Sequence, residues 1–192
     1  MKRVYIFPRY SGDENSDWYQ QIKQASCFSE EHLEIIPLSL PNWDKPSCAE
    51  FRTFIEQIIT ETEIDENTYF VGHSVGCKAA LLFLNELYNN NPALKIGGLM
   101  CVAGWWKVDN PWPQLNQWIN MPLDFKGIQQ ICNNNIICIL SDNDPFTSDW
   151  KTNKKEWEAN LNAKVIIVPG AKHFNGTEGF SEIRTELISF TK

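Results

Sequence analysis

Five residues near the middle of the chain, Gly72-His73-Ser74-Val75-Gly76, limit what it can fold into more than any other feature. They follow an apolar, β-prone run, Thr68-Tyr69-Phe70-Val71, and precede a helix-prone run, Cys77-Lys78-Ala79-Ala80-Leu81-Leu82. A strand that becomes a helix within so few residues has to turn sharply. Side chains two places before and two places after the apex would crowd neighbouring backbone, and glycine stands at both. The turn lifts the Ser74 hydroxyl above the end of the strand and puts the Val75 amide at the start of the helix.

The rest of the chain repeats this alternation. Short, nearly continuous apolar runs at 3–7, 34–38, 68–72, 96–103, 136–140 and 164–168 read as buried parallel strands. Between them, 17–28, 48–62, 75–88, 150–161 and 180–190 have helical spacing; Phe51, Phe54, Ile55, Ile58 and Ile59 share one face of theirs. Asn89-Asn90-Asn91-Pro92 ends the third helix. Strands alternating with helices imply right-handed crossovers and a mostly parallel sheet of about six strands with helices on both faces, an α/β architecture of three layers. With 192 residues, one domain spanning 1–192 is expected. The interval 104–130 is too long for a simple connection. It holds Trp105, Trp106, Trp112 and Trp118 among three prolines, Pro111, Pro113 and Pro122, and is read as a partial cap.

Composition narrows the function. A net charge of −7 disfavours nucleic acid and anionic lipid as partners. No apolar run approaches the roughly 20 residues a spanning helix needs. The basic start, Met1-Lys2-Arg3, leads into an apolar stretch too short for a signal peptide. Six cysteines without C-x-x-C pairing read as reduced, mostly buried thiols, and so as a cytoplasmic protein. A monomer or homodimer acting on a small molecule, without metal or cofactor, is the expectation.

An exposed serine on such a turn reads as a nucleophile, which needs a base. His32 lies in the acidic run Glu30-Glu31-His32-Leu33-Glu34 and reads as solvated. His73 adjoins Ser74, but neighbours on a tight turn diverge. His173, in the loop after the last strand, falls at the same sheet edge as Ser74, where open α/β sheets bind ligands, and is taken as the base. The acid that holds its tautomer comes from Ser141-Asp142-Asn143-Asp144-Pro145-Phe146 after the fifth strand. Asp144, projecting from the turn that Pro145 stiffens, is preferred to Asp142, which reads as a turn cap. The order is serine, aspartate, histidine. Val75 and, from the loop after the first strand, Tyr10 are taken as the backbone amides that meet an oxyanion. Trp105, at the end of the fourth strand, is taken as a wall of an apolar substrate pocket.

Through Gly72–Gly76, the Asp144-Pro145 element and the turn ending in His173-Phe174, the chain resembles the small α/β-hydrolases of the retinoblastoma-binding protein 9 and YdeN type along essentially its whole length. The resemblance implies a compact α/β-hydrolase fold without a full lid, serine hydrolase activity of an esterase-like kind, and the family's acid on Asp144. Two places depart from the family: Arg9 stands where a glycine is common, and Ala171-Lys172 lengthen the turn before His173. The implied reaction is two-step acyl transfer through an acyl-enzyme. A hydrolase fold kept as a non-catalytic binding module, and an acyltransferase or peptidase with the same three residues, are the competing readings. A phosphatase built on Asp142-x-Asp144 is disfavoured because it leaves the Ser74 turn unexplained, and Thr147 stands where a calcium loop needs glycine.

Overall fold

The computed structural model describes residues 1–25, 33–61 and 63–192, without the side chains of 56 and 59–61. Six parallel strands form one sheet: β1 (Lys2–Phe7), β2 (Leu33–Pro37), β3 (Thr68–His73), β4 (Gly98–Val102), β5 (Ile136–Ser141) and β6 (Lys164–Val168), in the order β2-β1-β3-β4-β5-β6. The chain steps outward from β1 to β2 and returns past it to β3. The strand order therefore reverses between β1 and β3, and a crevice opens at their carboxyl ends. Phe7 pairs with Gly72 there, so the loop after β1 and the turn after β3 leave the sheet side by side.

Side chains alternate between two apolar layers, as the pleat requires. Tyr5, Phe7, Phe70, Leu99, Cys101, Cys138 and Leu140 face one layer. It is completed by α2 (Cys48–Glu61), α3 (Val75–Asn90), α5 (Phe125–Ile131) and α6 (Trp150–Leu161). Val4, Ile6, Tyr69, Val71, Met100, Val102 and Ile139 face the other, covered by α1 (Tyr19–Gln24) and α7 (Phe180–Phe190). The crossovers through α1 and α2 thus pass on opposite faces, which gives the three layers. The helix α3 is buried along nearly its whole length, in keeping with its central place.

Many strand and helix ends shift by one or two residues from the sequence reading, and two differences are larger. The first helix begins at Tyr19 rather than Asp17. Asp17 takes a left-handed backbone (φ 51°), and its carboxylate is bound to Arg9, so it cannot start a helix. The expected end of that helix, with Cys27 and His32, lies outside the described residues. Within 104–130 the structure adds a short helix, α4 (Asn116–Ile119), and α5, which the sequence reading lacks. The α5 N-terminus is fixed by Asp124, whose side chain accepts from the Gly127 amide. Its pattern is obscured because Gly127 sits on the buried side, under the Tyr88 ring.

Five cysteines are described, all free and buried. No helix among the described residues is long and apolar enough to cross a membrane. Among those residues no cluster of three His, Cys, Asp or Glu side chains is placed to hold a metal.

Candidate active site

The turn after β3 is strained. Ser74 has φ 57° and ψ −120°, a conformation few non-glycine residues adopt. Close packing enforces it. A Cβ on Gly72 would lie 2.5 Å from the Cys77 Cα, and one on Gly76 only 2.2 Å from the Phe7 carbonyl oxygen. The two glycines let β1, β3 and α3 approach within backbone contact, and the Ser74 amide is tied to Val102 O of β4 at 2.9 Å.

The histidine loop is held by polar side chains. Three consecutive residues after β5 each support one point of it. Asp142 Oδ1 accepts from the Gly170 amide and Asn143 Oδ1 from the Lys172 amide, both at 2.8 Å. Asp144 Oδ2 meets His173 Nδ1 at 2.7 Å. The other Asp144 oxygen accepts from the Phe146 amide at 2.9 Å, so the carboxylate cannot rotate freely. Ala171 and Lys172 are absorbed by this spacing: Ala171 is buried and Lys172 takes a left-handed backbone (φ 45°). A carboxylate accepts, so Nδ1 carries the proton and Nε2 presents its lone pair to Ser74 Oγ, 2.9 Å away. Ser74, Asp144 and His173 are 7%, 4% and 6% exposed.

Arg9 folds back over its own loop. Its Nη1 donates to Tyr10 O at 2.9 Å and its Nε to Asp17 Oδ2 at 2.6 Å. Asp17 Oδ1 in turn accepts from the Gly176 amide at 2.8 Å, three residues past His173. Along this loop the amides of Arg9, Ser11 and Gly12 donate to Tyr19 Oη, Trp43 O and Arg9 O. Among the described residues, Tyr10 is the member of that run whose amide meets no internal acceptor. Val75, at the first position of α3, has no acceptor one turn back. Both residues line the cavity above Ser74.

That cavity has a volume of about 360 Å³. Trp105, Trp112, Leu115 and Phe146 form much of its wall. Tyr10, Trp112, Phe146 and His173 stand in an aromatic arc, with ring centres 5.0, 6.0 and 4.8 Å apart in turn. Of the interval 104–130, only the first half reaches the site. Trp118 is buried instead against Trp43 and Phe51, with its indole N–H on Pro46 O at 3.0 Å. Trp106 packs edge-on to Phe125 and against Trp157.

Several residues here escape a reading of the sequence. Trp112 and Phe146 become cavity walls only through the fold, and so do the tie from Arg9 to Asp17 and the contact of Asn143. His73 diverges from Ser74 as turn geometry requires, but it is not idle. It is wholly buried, with Nδ1 2.8 Å from Tyr19 Oη and Nε2 2.9 Å from His173 O. Burial pushes its imidazole down to about 3, so it stays neutral. Lys78, one turn along α3 from Ser74, is 1% exposed and has no ion-pair partner among the described residues. Its ammonium lies 3.8 Å from the centre of the Trp106 ring and 5.2 Å from that of Trp105. Burial pushes it down to about 7. A single lysine inside the otherwise apolar run of α3 was the available signal.

Six parallel strands, helices on both faces, and a serine-bearing turn after β3 facing a loop histidine define a protein of the α/β-hydrolase fold. More narrowly, the chain belongs to the serine hydrolase family, whose sequence profile matches residues 4–191. It is 24% identical to YdeN of Bacillus subtilis (strain 168) over 184 residues, 95% of this chain and 90% of that one. The crystal structure of the B. subtilis ydeN gene product superposes with a TM-score of 0.82 at 23% identity, covering 99% of this chain and 98% of the other. Two more distant structures share the fold. Est1E from Butyrivibrio proteoclasticus, with ferulic acid bound, has a TM-score of 0.69 at 9% identity, covering 99% and 88% of the two chains. The RedJ thioesterase of Streptomyces coelicolor has 0.65 at 11%, covering 98% and 90%.

Proposed function

We propose that this hydrolase cleaves small esters, or related activated acyl compounds, through an acyl-enzyme formed on Ser74. The observation that carries the reading is the unbroken line of hydrogen bonds from Asp144 through His173 to Ser74, 2.7 and 2.9 Å long, at the floor of an apolar cavity. His173 Nε2 takes the Ser74 proton as Oγ attacks the acyl carbon. Asp144 holds the tautomer and stabilises the imidazolium. The amides of Tyr10 and Val75 donate to the oxyanion. The imidazolium then gives its proton to the leaving oxygen. Water, deprotonated by His173, attacks the acyl-enzyme, and the imidazolium returns that proton to Ser74 Oγ as the acid leaves. The aromatic arc and Trp105 favour an uncharged, apolar acyl group.

The test is incubation of the purified protein with a fluorophosphonate, beside Ser74→Ala, and location of the adduct by peptide mass spectrometry. An adduct on Ser74, together with turnover of p-nitrophenyl butyrate lost in Ser74→Ala, is the expected result. A folded protein that neither labels nor turns over would make the fold a binding module. Labelling with hydroxylamine or amine acceptors strongly preferred over water would make it a transferase.

A further inference from the structure

We propose that Tyr19 and His73 are positioning residues for this hydrolase. They join the loop carrying the Tyr10 amide to the loop carrying His173 through one directed chain of hydrogen bonds. The inference rests on the reading of Ser74 and His173 given above, but its geometry is independent of any substrate.

The direction of the chain follows from donor and acceptor chemistry once the buried His73 ring is neutral. The backbone oxygen of His173 only accepts, so His73 Nε2, 2.9 Å away, carries the proton. A neutral imidazole then has a lone pair on Nδ1, and the Tyr19 hydroxyl, 2.8 Å away, donates to it. With its proton committed, Tyr19 Oη is free to accept, and the Arg9 amide donates to it at 3.0 Å. For a neutral imidazole every group then has one role, and no other arrangement satisfies all three contacts. The charged and titratable groups around His73 are Asp17, with Oδ2 3.9 Å from Nδ1, Arg9, and His173 with its partner Asp144. Asp17 is already bound by Arg9 and by the Gly176 amide, and both Tyr19 and His73 are fully buried.

The chain therefore passes under the site from one side to the other. Its first donor is the residue before Tyr10, and its last acceptor is the backbone of the base itself. The Asp17 bonds to Arg9 and Gly176 make a second link in parallel. Together they set the separation between an oxyanion donor and the imidazole, a distance on which a tetrahedral intermediate depends within a few tenths of an ångström. Parity places His73 for this role: two residues beyond Val71 on β3, it faces the α1 layer, where Trp18 and Tyr19 receive it.

The experiment compares Tyr19→Phe, His73→Leu and His73→Gln with the wild type, using p-nitrophenyl butyrate and thermal melting to select folded variants. Glutamine retains a donor for His173 O and an acceptor for Tyr19, whereas leucine retains neither. A fall in kcat of roughly 10- to 100-fold for Tyr19→Phe and His73→Leu, with KM within about threefold, and recovery to within about fivefold of wild type in His73→Gln, is expected. Folded Tyr19→Phe and His73→Leu within twofold of wild type would overturn the proposal, and so would equal losses in the leucine and glutamine variants. An activity-independent reading comes from ¹⁵N NMR of the histidine rings: His73 should hold its proton on Nε2 between pH 5 and 9, and a proton on Nδ1 would overturn the chain's direction. A wild type that fails to label at Ser74 but shows the Nε2 tautomer would defeat the hydrolase reading while leaving the hydrogen-bond chain standing.

Discussion

The two halves of the site are built by different means. On the serine side, the turn is fixed by what cannot fit: a Cβ on Gly72 or Gly76 would collide with backbone where β1, β3 and α3 meet. On the histidine side, the loop is fixed by what binds: Asp142, Asn143 and Asp144 hold Gly170, Lys172 and His173 in step, and the Asp17 bonds to Arg9 and Gly176 brace the far end. Steric exclusion is local and all-or-none. A comb of hydrogen bonds is divisible, and its teeth have unequal worth. The comparison breaks if changes on the two sides have the same signature.

The largest effect on activity is expected from Asp144→Asn. The amide preserves volume but offers Nδ1–H no charged acceptor, and it favours the wrong imidazole tautomer. A carboxylate-to-amide change in such a triad costs about 10⁴-fold in kcat. Melting temperature should move little. Retention of activity within tenfold would take Asp144 out of the proposed mechanism.

The serine side should fail in stability first. In Gly76→Ala the new Cβ would meet the Phe7 and Pro8 carbonyl oxygens at 2.2 and 2.6 Å, so strand or helix must shift. A loss of about 3 kcal/mol or more, read from the urea midpoint, is expected. A variant as stable as wild type would show that the turn is not held by exclusion.

This difference explains what could be read from the sequence. Exclusion leaves a local mark, two glycines at fixed spacing around a serine, and a strand and helix readable on either side. The parallel sheet followed from runs such as Ile136–Leu140, because both faces are buried. His173 and Asp144 could be named because each follows a readable strand and so falls at a known sheet edge. The braces could not. Nothing in Asp17 marks it as the bridge between Arg9, eight positions before it, and Gly176, 159 positions after it. Tyr19 and His73 looked like a helix aromatic and a turn neighbour. Trp112 and Trp118 were indistinguishable by composition, yet one lines the cavity and the other fills the core.

Lys78 sharpens the comparison, for it is the charge on the side built by packing. Its amine titrates near 7 in the fold against about 10.5 when exposed. Below 7 both states are protonated and the full cost of burial is felt. Between 7 and 10.5 the unfolded chain binds more protons, so stability rises with pH. Lys78→Met should therefore be more stable than wild type by about 1–3 kcal/mol at pH 7, after allowing for the lost contact with Trp106. The gap should close by about pH 10.5. Parallel melting curves of the two proteins across that range test it. A gap independent of pH would show that the ammonium is adequately solvated in the fold.

The smallest effect is expected at Asp142, two residues from the largest. Both are aspartates in one loop, and both accept from the histidine loop. But Asp142 accepts from an amide of the backbone, for which a neutral carbonyl serves as well as a carboxylate, whereas Asp144 faces a ring that becomes a cation during the reaction. Asp142→Asn keeps the bond to Gly170 and should change kcat by less than threefold. Asp142→Ala removes it and should cost about three- to tenfold, with Asn143 and Asp144 still in place. Side-by-side kcat values for the two Asp142 variants and Asp144→Asn would separate the need for an acceptor from the need for a charge. If Asp142→Asn proved the more damaging of the two amides, the acid would be Asp142, and the hydrogen bond between Asp144 and His173 would have to break during turnover.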